Sequence, residues 1–524
     1  MAYELFSEIR GSDLLTTDDL HALGDAAWWL GLIRETLEIC EDVHQRYLAE
    51  GRIEQAALVA IDSAFHWFLR GRPDIGSGLL SRGRRLLDGL PQCVGHGFLL
   101  WLDATDRASA GDVDEAVAQV RRLVQMAADL DAPVLASLGL ALEGELLVRQ
   151  GETERGFGLL DEAMLPVFAG RVPPDMAGSL YCQMMTLCHQ LADVTRARRW
   201  TKTTETWCDS LASAVMFVGV CRVHRTQLLR LEGAWDEAAR AAALAATELA
   251  ELNAEAVAEA QFELGEIHRL RGDHAKARGC YEAAASLGRD PEPGNSLLLL
   301  AEGRADDANS ALHQHLAEVG DPFARARLLR AHVEVGYTRA DAVTVAGAAE
   351  QLAGIAETYR TSGFKAWTET ARGTSLLLDG DHKGALFALR TALSCYRAMG
   401  AIYDVALSRL LIAQALDVTG DPAAGVERAT ALAALAALGA AVPASLASQE
   451  APESPALPGG LTTREAEILV AIAQGLSNRE VAARLVISEK TVARHLANVY
   501  AKLDVSSRTA AAAWAHRNSL VPTA

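Results

Sequence analysis

The sequence predicts an all-α chain: a long helical-pair solenoid over residues 1–440, a linker over 441–460 and a small four-helix domain over 461–524. Three observations carry that prediction. Apolar residues recur at helical spacing from Ala22 to Leu438, with few β-branched runs and almost no alternation. One phrase of small and large residues returns along that stretch with a period near forty. Between Leu461 and Leu520, helix start and stop signals are dense enough to mark four short helices.

The solenoid comes first. At 524 residues and 50% hydrophobic, the chain is too long for one core. Leu264-Gly265-x-x-His268-x-x-x-Gly272-x-His274-x-x-Ala277-x-x-x-Tyr281-x-x-Ala284 returns as Gly373-x-x-Leu376-x-x-x-Gly380-x-His382-x-x-Ala385-x-x-x-Leu389-x-x-Ala392. In both, small residues let two antiparallel helices approach and large ones fill the gaps between them. Reduced to a turn glycine or alanine and a small residue five later, the signal recurs at Gly51/Ala56, Gly111/Ala116, Gly151/Gly156, Ala192/Ala197 and Gly233/Ala238. It continues at Gly272/Ala277, Gly303/Ala308, Gly380/Ala385 and Gly420/Gly425. Most steps are 39 to 41 residues; Gly51 to Gly111 is 60, Gly272 to Gly303 is 31, and the 77-residue step after Gly303 has room for one degenerate copy.

The phrase closely follows the tetratricopeptide pattern. This region resembles the helical sensor of the large LuxR-type regulators related to MalT. Those relatives also carry an ATPase module, whose phosphate loop needs Gly-Lys-Ser/Thr. No Gly-Lys dipeptide occurs in the chain. A strand-rich phosphoacceptor domain has no room here either, so ATP-driven switching and phosphotransfer are not expected. Trp28 and Trp29 lie about 100° apart on a helix and are read chiefly as core, as are Trp101, Trp200, Trp207, Trp235 and Trp367.

The linker follows. Pro443, Pro452, Pro455 and Pro458 fall within twenty residues rich in Ala and Ser and ending in Gly459-Gly460. Next, Thr462 with Glu465 and Ser477 with Glu480 are Ser/Thr-x-x-Glu capping boxes, each marking a helix start. The first helix presents Ile468, Leu469, Ile472 and Ala473 and stops at Gly475; the second runs from about Asn478 to Leu485. After Ser488 a longer helix extends to Leu503, with Val492, Leu496, Val499 and Leu503 as its buried stripe. Lys490, Ala493, Arg494, Ala497, Asn498 and Lys502 point the other way.

Small residues on that face permit close approach, while Arg can bond guanine and Asn adenine in the major groove. Ser506 and Ser507 cap a last helix, Arg508 to about His516, whose first N–H groups and Arg508 can hold a phosphate.

These sixty residues resemble the helix-turn-helix of LuxR-type (FixJ/NarL-like) transcriptional regulators, on Leu461, Thr462, Arg464, Glu465, Gly475, Ser477, Asn478, Glu480, Ala482, Leu485, Ser488, Thr491, Val492, His495, Lys502, Leu503 and Arg508. The resemblance makes Glu489 to Leu503 the recognition helix and puts Ser488, Thr491, Lys502 and Arg508 near phosphates. It also implies that the last helix contributes to a dimer on DNA. Ala493 stands where the family usually has Lys or Arg, so polar readout is expected from Arg494 and Asn498, with Ala493 limited to a thymine methyl.

Charge is divided to match. The formal charge is −19, yet from Leu461 onward 8 Lys+Arg meet 5 Asp+Glu, a net of +3 that leaves −22 for residues 1–460. Duplex DNA therefore suits the C-terminal end alone. The eight cysteines form no C-x-x-C pair, and no histidines cluster at metal-ligand spacing, His313 and His315 facing different sides of one helix. No cofactor or metal is expected, and no nucleophile, paired-carboxylate or phosphate-loop motif suggests an enzyme.

The N-terminal residues lack a signal pattern, and the apolar run Ala429 to Val442 is too short to span a bilayer. The expectation is a cytoplasmic DNA-binding regulator, a homodimer on DNA, whose solenoid takes a small-molecule or protein effector. The alternative is a tetratricopeptide-like scaffold or signalling adaptor that its C-terminal module merely tethers to DNA.

Overall fold

The computed structural model describes residues 2–8, 15–211, 213–447, 463–485, 489–503, 505 and 507–518; within the described helices some side chains are not placed. Among the described residues there are helices and no strands. They divide into two compact units, 1–446 and 447–524.

After α1 (Ala2–Glu8), the first unit is a series of helical hairpins. The first three are α2 (Thr17–Trp29) on α3 (Ile33–Ala49), α4 (Ile53–Leu69) on α5 (Pro73–Leu87), and α6 (Val94–Ser109) on α7 (Val113–Asp129). Then α8 (Pro133–Arg149) packs on α9 (Thr153–Ala163), and the single turn α10 (Leu165–Phe168) leads to α11 (Pro174–Gln190) on α12 (Val194–Asp209). Next come α13 (Val215–Leu231) with α14 (Trp235–Glu248), α15 (Ala254–Leu270) with α16 (His274–Ser286), and α17 (Gly294–Ala301) with α18 (Ala305–Glu318). The last are α19 (Pro322–Thr338) with α20 (Ala342–Tyr359), α21 (Ser362–Leu378) with α22 (His382–Met399), and α23 (Ile402–Val418) with α24 (Ala423–Leu438).

Each hairpin turns at one residue with positive φ, which glycine adopts without the clash a Cβ would bring. These residues are Gly31, Gly71, Gly111, Gly151, Ala192, Gly233, Gly272, Gly303, Ala340, Gly380 and Gly420. Their order corrects the expected phase at the start of the array. Gly51 also has positive φ but joins α3 to α4, so it separates two hairpins, and the 60-residue step disappears once Gly71 takes its place. The 31-residue step reflects α17, only 8 residues long. The degenerate copy within the 77-residue step turns at Ala340 (φ 53).

Packing explains the recurring phrase. A Cβ on Gly265 would lie 2.5 Å from Tyr281 Cε1, one on Gly373 2.6 Å from Leu389 Cγ, and one on Gly144 2.8 Å from Leu160 Cγ. In each case a glycine on the first helix makes room for a large side chain sixteen residues later on the second. Asp193, Asp341 and Asp381, one past the turn residue, accept the backbone N–H of Arg196, Thr344 and Gly384 and so cap the second helices.

The first unit also winds onto itself, with contacts between hairpins five apart. Trp28 lies edge-on to Phe217 with ring centroids 5.7 Å apart, and Ser213 Oγ donates to Trp29 O at 2.8 Å. Arg149 pairs with Asp321 at 2.6 Å, Thr361 Oγ1 donates to Leu191 O at 2.7 Å, and Arg198 Nη2 to Met399 O at 2.6 Å. Trp28 is thus buried and Trp29 half-buried, as core residues. The inner helices carry paired charges: Arg230 Nε donates to Glu263 at 2.5 Å, Arg269 to Glu266 at 2.8 Å, and Arg330 pairs with Asp404.

Of the expected linker, 441–446 runs along this unit: Ala441 N donates to Leu270 O at 2.9 Å and Gln414 Nε2 to Ser445 O at 3.2 Å. Pro452, Pro455 and Pro458 lie outside the described residues. The eight cysteines are all free thiols, and burial pushes Cys40, Cys188 and Cys221 up to about 12. No described helix is long and apolar enough to cross a membrane.

Candidate nucleic-acid interface

The second unit holds α25 (Thr463–Ala473), α26 (Asn478–Leu485), α27 (Glu489–Leu503) and α28 (Arg508–Arg517). Thr462 and Ser488 lie outside the described residues. The turn after α25 is made by Gly475 at φ 90, which ends the helix in the left-handed conformation. Ser477 then forms the anticipated capping box: its N–H donates to Glu480 Oε2 at 2.7 Å, and its Oγ accepts the Glu480 N–H at 3.4 Å. The donated backbone N–H, helped by the hydroxyl, lowers the Glu480 carboxyl below its ordinary range.

The length and face of α27 follow from its apolar stripe. Val492, Leu496, Val499 and Leu503 are all buried. Val492 and Leu496 pack with Ile468, Ile472 and Val481, whereas Val499 and Leu503 pack with Leu469, Ala511 and Ala515. One helix thus seats against the other three. Ala493 and Asn498 are exposed there, and His495 is half-buried. Lys490, Thr491, Arg494 and Ala497 belong to α27, but their side chains lie outside the described residues.

Two expected phosphate ligands have partners inside the unit. Lys502 Nζ donates to Glu465 Oε2 at 2.7 Å, tying α27 to α25; the Glu465 side chain is 5% exposed and that of Lys502 38%. That ammonium offsets the charge of a carboxylate taken largely out of water. Arg508 Nη1 donates to Asn478 Oδ1 at 2.8 Å and its Nη2 to the Leu476 carbonyl, so the start of α28 is held on the loop before α26. Ser507 caps α28 by accepting the Ala510 N–H at 3.2 Å. Sequence reasoning assigned Glu465 to a cap and missed its pairing with Lys502, because the two residues are 37 apart and share no local pattern.

The arrangement is a bracing helix, a short helix and a longer helix whose outer side carries small and amide residues. Residues 460–515 match the family described as bacterial regulatory proteins, luxR family. The second unit contains a LuxR-type helix-turn-helix domain. It includes α26 and α27 as consecutive helices. Over 80% of this chain and 94% of that one, the crystal structure of the APC/C hetero-tetramer Cut9-Hcn1 is similar at 13% identity and a TM-score of 0.39. No curated protein matches the chain significantly.

Proposed function

We propose that the chain is a sequence-specific, DNA-binding transcriptional regulator whose helical array takes an effector that controls DNA binding. The observation that carries the reading is the division of α27. Its stripe Val492, Leu496, Val499 and Leu503 is used up in the core, while Ala493 and Asn498 face solvent, within a domain of the luxR family. A helix presenting that side fits the major groove, where Asn498 can bond adenine, Arg494 guanine, and Ala493 can touch a thymine methyl. Lys490, Thr491 and Ser488 would meet the phosphates near the start of α27, where helix N–H groups also point. Ala497 permits close approach, and Lys502 and Arg508 hold the helices in register while remaining near the backbone path.

One such module offers few contacts. Two copies on half-sites spaced by roughly 34 to 36 Å add their contacts, so the DNA-bound form is a homodimer. The acidic residues 1–460, at −22, disfavour further DNA contact, which confines binding to the C-terminal unit.

Genome-wide mapping of occupied sites tests the reading. Occupancy concentrated upstream of genes and sharing one motif supports it. Occupancy scattered without a motif contradicts it and favours the scaffold that is only tethered to DNA.

A further inference from the structure

The first unit holds a half-open cavity of about 80 Å³ lined by residues of α19, α21, α22 and α23 together with Pro443, Ser445 and Leu446. The last three residues open the segment that leads to the DNA-binding unit. Space for roughly two or three waters, or for a branched four-carbon body, is available there. Much of the wall is apolar: Val333, Trp367, Ala371, Leu407, Leu411 and Leu446.

Its charge is unbalanced. Arg330 is pinned, since its guanidinium pairs with Asp404 and lies 5.2 Å over the Trp367 ring. Glu334, one turn along α19, also lines the cavity. Among the described residues its carboxyl takes part in no hydrogen bond or ion pair. The charges acting on it are Arg269 and Arg330, with Glu266 and Asp404 opposing. Arg269 is already bonded to Glu266 at 2.8 Å, and Arg330 to Asp404. Each of these guanidiniums thus already has a carboxylate partner, and Glu334 has no bonded cation of its own among the described residues. Burial pushes its carboxyl up, as a desolvated group lacking its own cation requires.

We propose that this cavity binds a small primary amine with a short apolar body, its ammonium on Glu334 and its carbons among Val333, Leu407, Leu411 and Leu446. The linker root is part of the same construction. Tyr337 Oη, at the wall, donates to Gln414 Oε1 at 2.6 Å, and Gln414 Nε2 donates to Ser445 O at 3.2 Å. An occupant presses on both Tyr337 and Leu446 and so stiffens residues 443–446. That effect would make the cavity the effector site of the regulator proposed above, and only this last step rests on that reading.

Calorimetric titration of the full chain with isobutylamine tests the site, with isobutanol as the neutral molecule of the same shape and isobutyrate as the opposite charge. The amine binds saturably and about tenfold or more tighter than either control, the magnitude of one charge-assisted hydrogen bond. Glu334→Gln removes that advantage while leaving the melting temperature within a few degrees, and Ala371→Leu, which fills the cavity, abolishes amine binding. Absence of saturable amine binding, equal affinity for amine and alcohol, or an undiminished amine preference in Glu334→Gln would each overturn the proposal. Hydrogen exchange of residues 441–446 then reads the linker root: exchange slows with amine present, and unchanged exchange removes the link to the linker. These measurements use no DNA, so their failure leaves the DNA-binding reading standing, and a failure of DNA binding leaves the site intact.

Discussion

The two units bury ion pairs by the same physics, but in different amounts. In the helical array Arg230 with Glu263 joins α13 to α15, Arg269 with Glu266 lies within α15, and Arg330 with Asp404 joins α19 to α23. In the DNA-binding unit, among the described residues, the ion pair at the core is Lys502 with Glu465, between α27 and α25. The array has an acidic excess and half-buried guanidiniums paired with buried carboxylates; in the small unit one lysine pairs with a buried carboxylate, while Ala493 and Asn498 of α27 are exposed. Charge held in a pair inside the fold is less available to a ligand, and the interface proposed above is the side of α27 that carries the exposed Ala493 and Asn498.

Breaking the bracing should therefore hurt the array most. Arg230→Met leaves the Glu263 carboxylate, 3% exposed, without its cation, and a urea titration of the full chain at neutral pH should show a loss of about 3 kcal/mol. Burial raises the Glu263 carboxyl. A carboxyl raised in the folded state destabilises above its folded pKa, so the deficit of the variant should shrink as pH falls through that value.

The same test on the small unit is milder. Lys502→Met removes a cation from beside Glu465, and because the lysine is 38% exposed, solvent screening trims the loss to about 2 kcal/mol, seen in the melting of the C-terminal unit. A larger loss here than in Arg230→Met would reverse the comparison.

Substitutions on the free face should do the opposite and spare stability. Arg494→Ala should weaken binding to the preferred duplex by about 1.5 kcal/mol and relax base preference, with little change in melting. Anisotropy titrations against preferred and random duplexes check this, and equal losses on both would show that Arg494 reads no base. Smallest, and alike in both units, are the turn glycines. Gly380 (φ +80) and Gly475 (φ +90) have nothing within 4 Å of an added Cβ, so alanine at either should cost only backbone strain, about 1 kcal/mol, measured by chemical denaturation.

Local signals were legible because they act within a few residues. Gly475, the Ser477 and Glu480 cap, and the stripe from Val492 to Leu503 all appear where the chain alone placed them. So do the turn glycines from Gly111 onward. The phase at the start was not, since Gly51/Ala56 and Gly71/Gly76 both satisfy the small-residue rule and only packing of α4 on α5 decides between them. Ala340 escaped because Val345, five residues on, is not small. The contacts between hairpins five apart, such as Arg149 with Asp321, leave no trace in a periodic sequence, and neither does the pairing of Lys502 with Glu465.

The central claim is that the outer side of α27 reads bases. Selection of bound sequences from a random duplex pool by the full chain tests it most directly. The account predicts one enriched motif, present as two half-sites about one helical turn apart, that loses its base preference at defined positions when Asn498→Ala or Arg494→Ala is used. A pool that emerges without a motif, or a motif that both variants recover unchanged, would contradict it.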